Sequence, residues 1–184
     1  MKTIYFVTGN QGKVLEVKNK LSGFNIDIVQ KNIGYPEIQA DSLEEVAEYG
    51  INHLKNKLNH PFILEDAGLF IDSLDGFPGV YSAYVYYRIG CEGILKLLEN
   101  KKDRKAYFKS VYAFYNKGEK EFFIGKCDGL INREITGDKG FGYDPIFIPD
   151  GKNITFAQMD IKEKNKISHR GKALDKLTEF FKKD

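Results

Sequence analysis

The stretch Thr3-Ile4-Tyr5-Phe6-Val7-Thr8-Gly9-Asn10-Gln11-Gly12-Lys13 decides the fold class of this chain. Thr3–Val7 is an unbroken run of strand-forming residues, the pattern of a strand buried on both faces. Gly9 and Gly12 then bracket a polar turn, and Val14, Val17 and Leu21 recur at a spacing that places them on one helical face. Strand, tight turn and helix in succession describe the opening of an α/β protein. At such a junction unpaired backbone N–H groups and the helix dipole point outward together, which attracts phosphate. Lys13 adds a mobile cation. The turn is not a Walker A loop, because that motif needs four residues between its glycines and Ser or Thr after its lysine. Here only Asn10 and Gln11 separate the glycines, and Val14 follows Lys13. Read alone, the turn admits two outcomes: a phosphate site of another kind, or a turn that binds nothing.

At 184 residues the chain is long enough for one domain, 1–184, with a substantial core. A net charge of +2 and the lack of a basic stripe argue against nucleic acid or a membrane surface as partner. Cys91 and Cys127 lie far apart without metal-ligand spacing, as interior thiols of a reducing compartment do. The N-terminal apolar run is too short for a signal peptide, and no stretch approaches a membrane span. The expectation is a cytoplasmic, soluble chain.

Strand and helix alternate through the first half. Ile26–Gln30 reads as a second strand, and Ser42 with Glu45 three residues on has capping-box form. Behind it Leu43, Val46, Ala47, Ile51, Leu54 and Leu58 form one stripe, and Phe62–Glu65 reads as a short third strand ending in acids. A loop at Gly76-Phe77-Pro78-Gly79 precedes the aromatic segment Tyr81–Tyr87 and a helix through Ile94, Leu97 and Leu98. Lys105–Tyr115, Glu121–Lys126 and Gly129–Ile135 read as a meander of three strands, with a turn at Asn116-Lys117-Gly118. The tail from Ser168 is helical, with Ala173, Leu174, Leu177, Phe180 and Phe181 facing inward. The order predicts a mixed sheet flanked by helices in a single α/β domain.

Besides the opening turn, three clusters carry candidate chemistry. Glu65-Asp66-Ala67-Gly68 places two acids after an apolar strand, at the expected carboxyl edge of the sheet where α/β folds gather ligands. Acids there suit Mg²⁺, which takes oxygen ligands, and Glu37 in Pro36-Glu37-Ile38-Gln39 is a second acid from a separate loop; solvation of a strand end is the plainer alternative. Gly140-Phe141-Gly142-Tyr143-Asp144 offers a Gly-flanked ring to stack on and an acid to accept hydrogen bonds, or else a turn whose aromatics plug the core. Lys164, Ser168, His169 and Arg170 gather donors at a helix start, suited to phosphate or a carbonyl oxygen, or else Lys162, Lys164 and Lys166, alternating with an acid and asparagine, form a solvated helix face. Together the clusters offer a phosphate cradle, metal acids, a ring platform and further cations, the needs of a nucleoside triphosphate.

Thr8-Gly9-Asn10-Gln11-Gly12-Lys13, Pro36-Glu37-Ile38-Gln39, Glu65-Asp66-Ala67-Gly68-Leu69, Gly76-Phe77-Pro78-Gly79-Val80-Tyr81-Ser82, Phe141-Gly142-Tyr143-Asp144 and Ser168-His169-Arg170 follow one another in this order. The set resembles the inosine triphosphate pyrophosphatase family, over nearly the whole chain. Tyr81-Ser82-Ala83 leading to Glu92-Gly93-Ile94-Leu95 looks most like archaeal members. The resemblance implies an elongated mixed sheet in two lobes with an active-site cleft between them, and a homodimer. It implies Mg²⁺-dependent hydrolysis of ITP, dITP or XTP to the monophosphate and pyrophosphate. By position, Thr8, Gly9, Asn10, Gln11, Gly12 and Lys13 hold the triphosphate, Glu37 and Asp66 serve the metal, and Asp66 is also the proton acceptor. Phe141, Gly142, Tyr143, Asp144, Lys164, Ser168, His169 and Arg170 surround the base and sugar.

Two positions depart from the family pattern. Ala67 stands where a Ser or Thr is usual, leaving only its backbone N–H to meet substrate. Tyr84 stands where many bacterial members have Arg, and Arg88 is the nearby candidate stand-in. Water attacking the α-phosphorus needs an orienting carboxylate, and either Asp66 or Glu65 serves on sequence grounds. Lys13 faces the departing pyrophosphate. Two other functions fit the same residues: a non-catalytic purine-nucleotide sensor, and a pyrophosphatase for other modified nucleotides.

Overall fold

A computed structural model describes every residue except Met1, Glu37 and Asp184. Its strands are β1 (Lys2–Val7), β2 (Ile26–Lys31), β3 (Phe62–Ile71), β4 (Pro78–Gly79), β5 (Lys105–Asn116), β6 (Glu119–Ile131) and β7 (Phe147–Pro149). Its α-helices are α1 (Gln11–Lys20), α2 (Leu43–Leu54), α3 (Ser82–Leu97), α4 (Ile161–Ile167) and α5 (His169–Phe181). The strands form one mixed seven-stranded sheet in the order β2-β1-β3-β5-β6-β7, with β4 paired to β3. β1 runs parallel to β2, Ile4 opposite Ile28, and parallel to β3, Phe6 opposite Ile63. The mixed α/β class expected from the strand–helix alternation is the one found.

Two compact units emerge, with β3, β5 and β6 long enough to contribute to both. The first takes the chain through Asp66, Ser110–Ile124 and the tail from Ala173. Its core joins Ile4, Phe6, Val14, Val17, Leu21 and Ile28 to Tyr112, Phe114 and the inward face of α5. Burying each such side chain contributes about 1.5–3 kcal/mol, so the helical spacing of Val14, Val17 and Leu21 suffices to fix the face α1 presents. α2 starts at Ser42, whose Oγ accepts the Glu45 N–H at 3.2 Å. Glu45 answers through the Ser42 hydroxyl at 3.0 Å and the Asp41 N–H at 3.4 Å. The second unit comprises Ala67–Lys109 and Gly125–Lys172. Its core packs Leu69, Ile71, Val85, Ile94 and Leu98 with Phe108, Phe147 and Phe156.

Three expectations need correction. β3 does not end at Glu65; it continues to Ile71, so the two acids sit inside a strand rather than at its carboxyl end. The expected strands Glu121–Lys126 and Gly129–Ile135 are one strand, β6, whose alternation carries on through Cys127 buried, Asp128 exposed and Gly129 buried. Gly129 is no break. A Cβ there would stand 2.3 Å from the Ile148 carbonyl oxygen of β7, which closes the meander antiparallel to β6. α2 ends at Leu54, so Leu58, half-buried, lies beyond the helical stripe assigned to it.

Candidate active site

The opening turn is held by its own side chains. Thr8 Oγ accepts the Asn10 N–H at 3.1 Å, and Asn10 Oδ1 caps α1 by accepting the Lys13 N–H at 3.2 Å. From β2, the Gln30 side-chain amide donates to the Thr8 carbonyl at 2.9 Å. Gly9, Asn10, Gln11 and Gly12 are exposed, leaving the first helical turn open to an anion. Lys13, third residue of α1, sends its ammonium inward to Glu65 Oε2 at 2.5 Å.

Glu65 and Asp66 are consecutive in β3, so their side chains leave opposite faces of the sheet. The Glu65 side chain has no exposed surface. Besides Lys13, it accepts the Ser110 hydroxyl at Oε1, 2.8 Å away on β5. A buried carboxylate needs a nearby opposite charge and hydrogen-bond donors; Lys13 supplies the charge at Oε2 and Ser110 a donor at Oε1. Asp66 is half-buried, as is Ala67. The remaining acid of the expected metal set, Glu37, lies outside the described residues.

In the second unit Asp144 is a brace. Its Oδ2 receives the Phe141 N–H at 2.8 Å and the Lys164 ammonium at 2.5 Å, with 4 % of the side chain exposed. Lys164 sits on α4 and also lies 4.8 Å from the centre of the Phe141 ring. Arg170 approaches the same ring at 4.9 Å. Phe141 itself is 55 % exposed, so an open aromatic face lies against two cations. Tyr143 is buried and donates its phenol to the Ser82 carbonyl at 3.1 Å; burial raises its pKa. His169 is buried and stacked on Phe108, ring centres 4.6 Å apart. Ser168 accepts the Gly171 N–H at 3.1 Å. Gly171 is required there because a Cβ would meet the Asn165 carbonyl oxygen of α4. Arg88 stacks on Tyr84 of its own helix, 5.1 Å from the ring centre.

The sequence reading missed Ser110 and Phe108, and it quoted Ser82 without giving it a role. Ser82 accepts the Leu69 N–H at 2.8 Å and donates to the Gly79 carbonyl at 2.6 Å, tying α3 to the β3–β4 pair. Ser110 had one signal: a serine at a core-facing place in the file Phe108, Ser110, Tyr112, Phe114.

Both cysteines are buried. Burial, aided by Glu92 and Asp144, pushes the Cys91 thiol up to about 11. Burial likewise pushes Cys127 to about 11. About one thiol in ten thousand is then ionised at pH 7, so the native protein is expected to react with an aromatic disulfide reagent far more slowly than the protein in denaturant. A native cysteine titrating at the denatured rate would contradict this.

The fold and these groups define an α/β protein with an exposed strand–turn–helix junction and a second cluster of cations around an open ring. The sequence profile of the Ham1 family matches residues 4–180, and the chain belongs to that family. It is 58 % identical to a dITP/XTP pyrophosphatase of Pyrococcus horikoshii, over 97 % of this chain and 96 % of the other. It is 53 % identical to a dITP/XTP pyrophosphatase of Thermococcus kodakarensis, over 97 % of each. The solved HAM1 protein of Coxiella burnetii superposes with a TM-score of 0.93 at 30 % identity, each chain covered completely.

Proposed function

We propose that this chain is a nucleoside triphosphate pyrophosphatase, a hydrolase that cuts dITP, XTP and ITP to the monophosphate and pyrophosphate and so removes non-standard purines from the nucleotide pool. The observation that carries the reading is identity above one half, along almost the whole chain, to relatives named for that reaction. Homodimeric assembly and a cytoplasmic location belong to the same reading. Among the described residues no helix is long and apolar enough to cross a membrane.

In this reading the opening turn and Lys13 handle the phosphates. The exposed amides of Gly9 to Gly12 and the ammonium of Lys13 stabilise charge that develops on pyrophosphate as its bond to the α-phosphorus breaks. Asp66 orients the attacking water and accepts its proton. Glu65 suits that task less, because Lys13 and Ser110 each engage one of its oxygens. Among the described residues no group of three or more His, Cys, Asp or Glu could hold a metal ion. Mg²⁺ is commonly held by one or two carboxylates together with substrate phosphates. Asp66 and Glu37 are the residues that would hold it. When bound, Mg²⁺ neutralises the triphosphate and polarises the reacting phosphoryl oxygens.

Arg170 and His169 supply the donors for the base. Hypoxanthine and xanthine carry a carbonyl where adenine carries an amino group, and Arg170 and His169 donate to the former and leave the latter unmatched. The test is a pyrophosphate-release screen over dITP, XTP, ITP and the standard triphosphates, with Mg²⁺ and with chelator. Expected is release from the deaminated purines at least about a hundredfold above ATP, lost in chelator. Tight binding without release would mark a sensor, release from modified pyrimidines a different pyrophosphatase, and equal use of ATP would end the account of selectivity.

A further inference from the structure

We propose that Ser110 is a positioning residue for this reaction: its buried hydroxyl fixes Glu65, and Glu65 holds the Lys13 ammonium at the phosphate turn. The consequence for catalysis rests on the pyrophosphatase reading. The geometry does not. Ser110 has no exposed surface. It lies in the buried file of β5 between Phe108 and Tyr112, where an apolar side chain would satisfy packing. A hydroxyl kept in such a place needs an acceptor, and its acceptor is Glu65 Oε1 at 2.8 Å. Glu65 Oε2 meets Lys13 Nζ at 2.5 Å. The three groups therefore form one chain, from the interior of the sheet to the first turn of α1.

The chain matters because of how lysine binds anions. Its ammonium is a compact charge on a flexible stem, and a site that must meet developing charge works best when the donor is already in place. With one Glu65 oxygen accepting from Ser110, the carboxylate pairs with Lys13 through the other. The Lys13 side chain keeps 18 % exposure, and an ammonium carries three protons, so one ion pair does not exhaust its capacity to donate. Without the Ser110 hydroxyl, the carboxylate loses that constraint, and the Lys13 ammonium paired with it is no longer held in one place beside the exposed amides of the turn. Ser110 thus acts on the reaction solely through Lys13.

That dependence gives the test. Steady-state hydrolysis of dITP is measured for the wild type, Ser110→Ala, Lys13→Ala and the double variant, with circular dichroism confirming that each is folded at the assay temperature. Ser110→Ala is expected to lower kcat/KM about tenfold in the wild-type parent, with the loss in kcat rather than KM. In the Lys13→Ala parent the same change is expected to cost less than about twofold, since the route through Lys13 is already gone. Equal losses in the two parents, or none in the wild type, would overturn the proposal. Should Ser110→Ala not fold, Ser110→Cys, nearly isosteric and a weak donor, carries the same cycle. A folded wild type inactive on every triphosphate would defeat the pyrophosphatase reading instead. In that case the four proteins are titrated calorimetrically with inorganic pyrophosphate: an affinity loss confined to the Lys13-containing pair supports the proposal, and an unchanged affinity or no binding by the wild type overturns it.

Discussion

Asp66→Asn is expected to lower kcat for dITP by about a thousandfold or more while the melting midpoint stays within a few degrees of the wild type. The substitution is isosteric and removes one charge from a half-buried position in the middle of β3. The larger acid beside it cannot take over. Glu65 leaves the strand on the opposite face, with one oxygen against Ser110 and the other against Lys13. A thousandfold corresponds to about 4 kcal/mol of transition-state stabilisation, in the range expected when a group that orients the nucleophile and takes its proton is neutralised. The comparison with Glu65→Gln sharpens the assignment. If Asp66→Asn turns over dITP at close to the wild-type rate and Glu65→Gln does not, the two acids have exchanged roles, and Asp66 is not the group that activates the water.

What can be read in the sequence is local. Thr3–Val7, the Val14–Val17–Leu21 face and the Ser42 cap each depend on residues a few positions apart, and the structure shows all three. Glu65-Asp66 misleads because two acids after an apolar run normally mark the point where a strand meets water. Glu65 stays inside β3 through Lys13, fifty-two positions earlier by residue number, and through Ser110 on the neighbouring strand. No local pattern encodes such a partner. Gly129 misleads likewise, because its lack of a side chain serves the close approach of Ile148, a residue outside its own strand. In sequence, the Phe141–Asp144 segment reads as a ring platform with an accepting acid. Asp144 instead accepts from Phe141 and Lys164 of its own cluster, and the open group is the ring. Tertiary pairing decides which acid is buried and which is open, and a linear pattern of residues carries no record of it.

The Lys13–Glu65 pair permits stability and catalysis to be separated by experiment. Lys13→Met removes the cation and leaves the fully buried Glu65 carboxylate with only part of its compensation. Breaking a buried pair from one side costs about 3–5 kcal/mol, which for a chain of this size lowers the melting midpoint by roughly 10 °C. Loss of a preorganised cation at the departing pyrophosphate should also cut kcat/KM about a hundredfold or more. Adding Glu65→Gln to Lys13→Met takes away the stranded charge while keeping an oxygen for the Ser110 hydroxyl to meet. The double variant is therefore expected to regain most of the lost melting temperature and none of the lost activity. The two readouts part because the interior responds to the balance of charge, whereas the phosphates respond to the presence of the ammonium. If the double variant regained activity together with stability, Lys13 would be a structural lysine, and the charge on the leaving pyrophosphate would have to be met by the turn's amides without it.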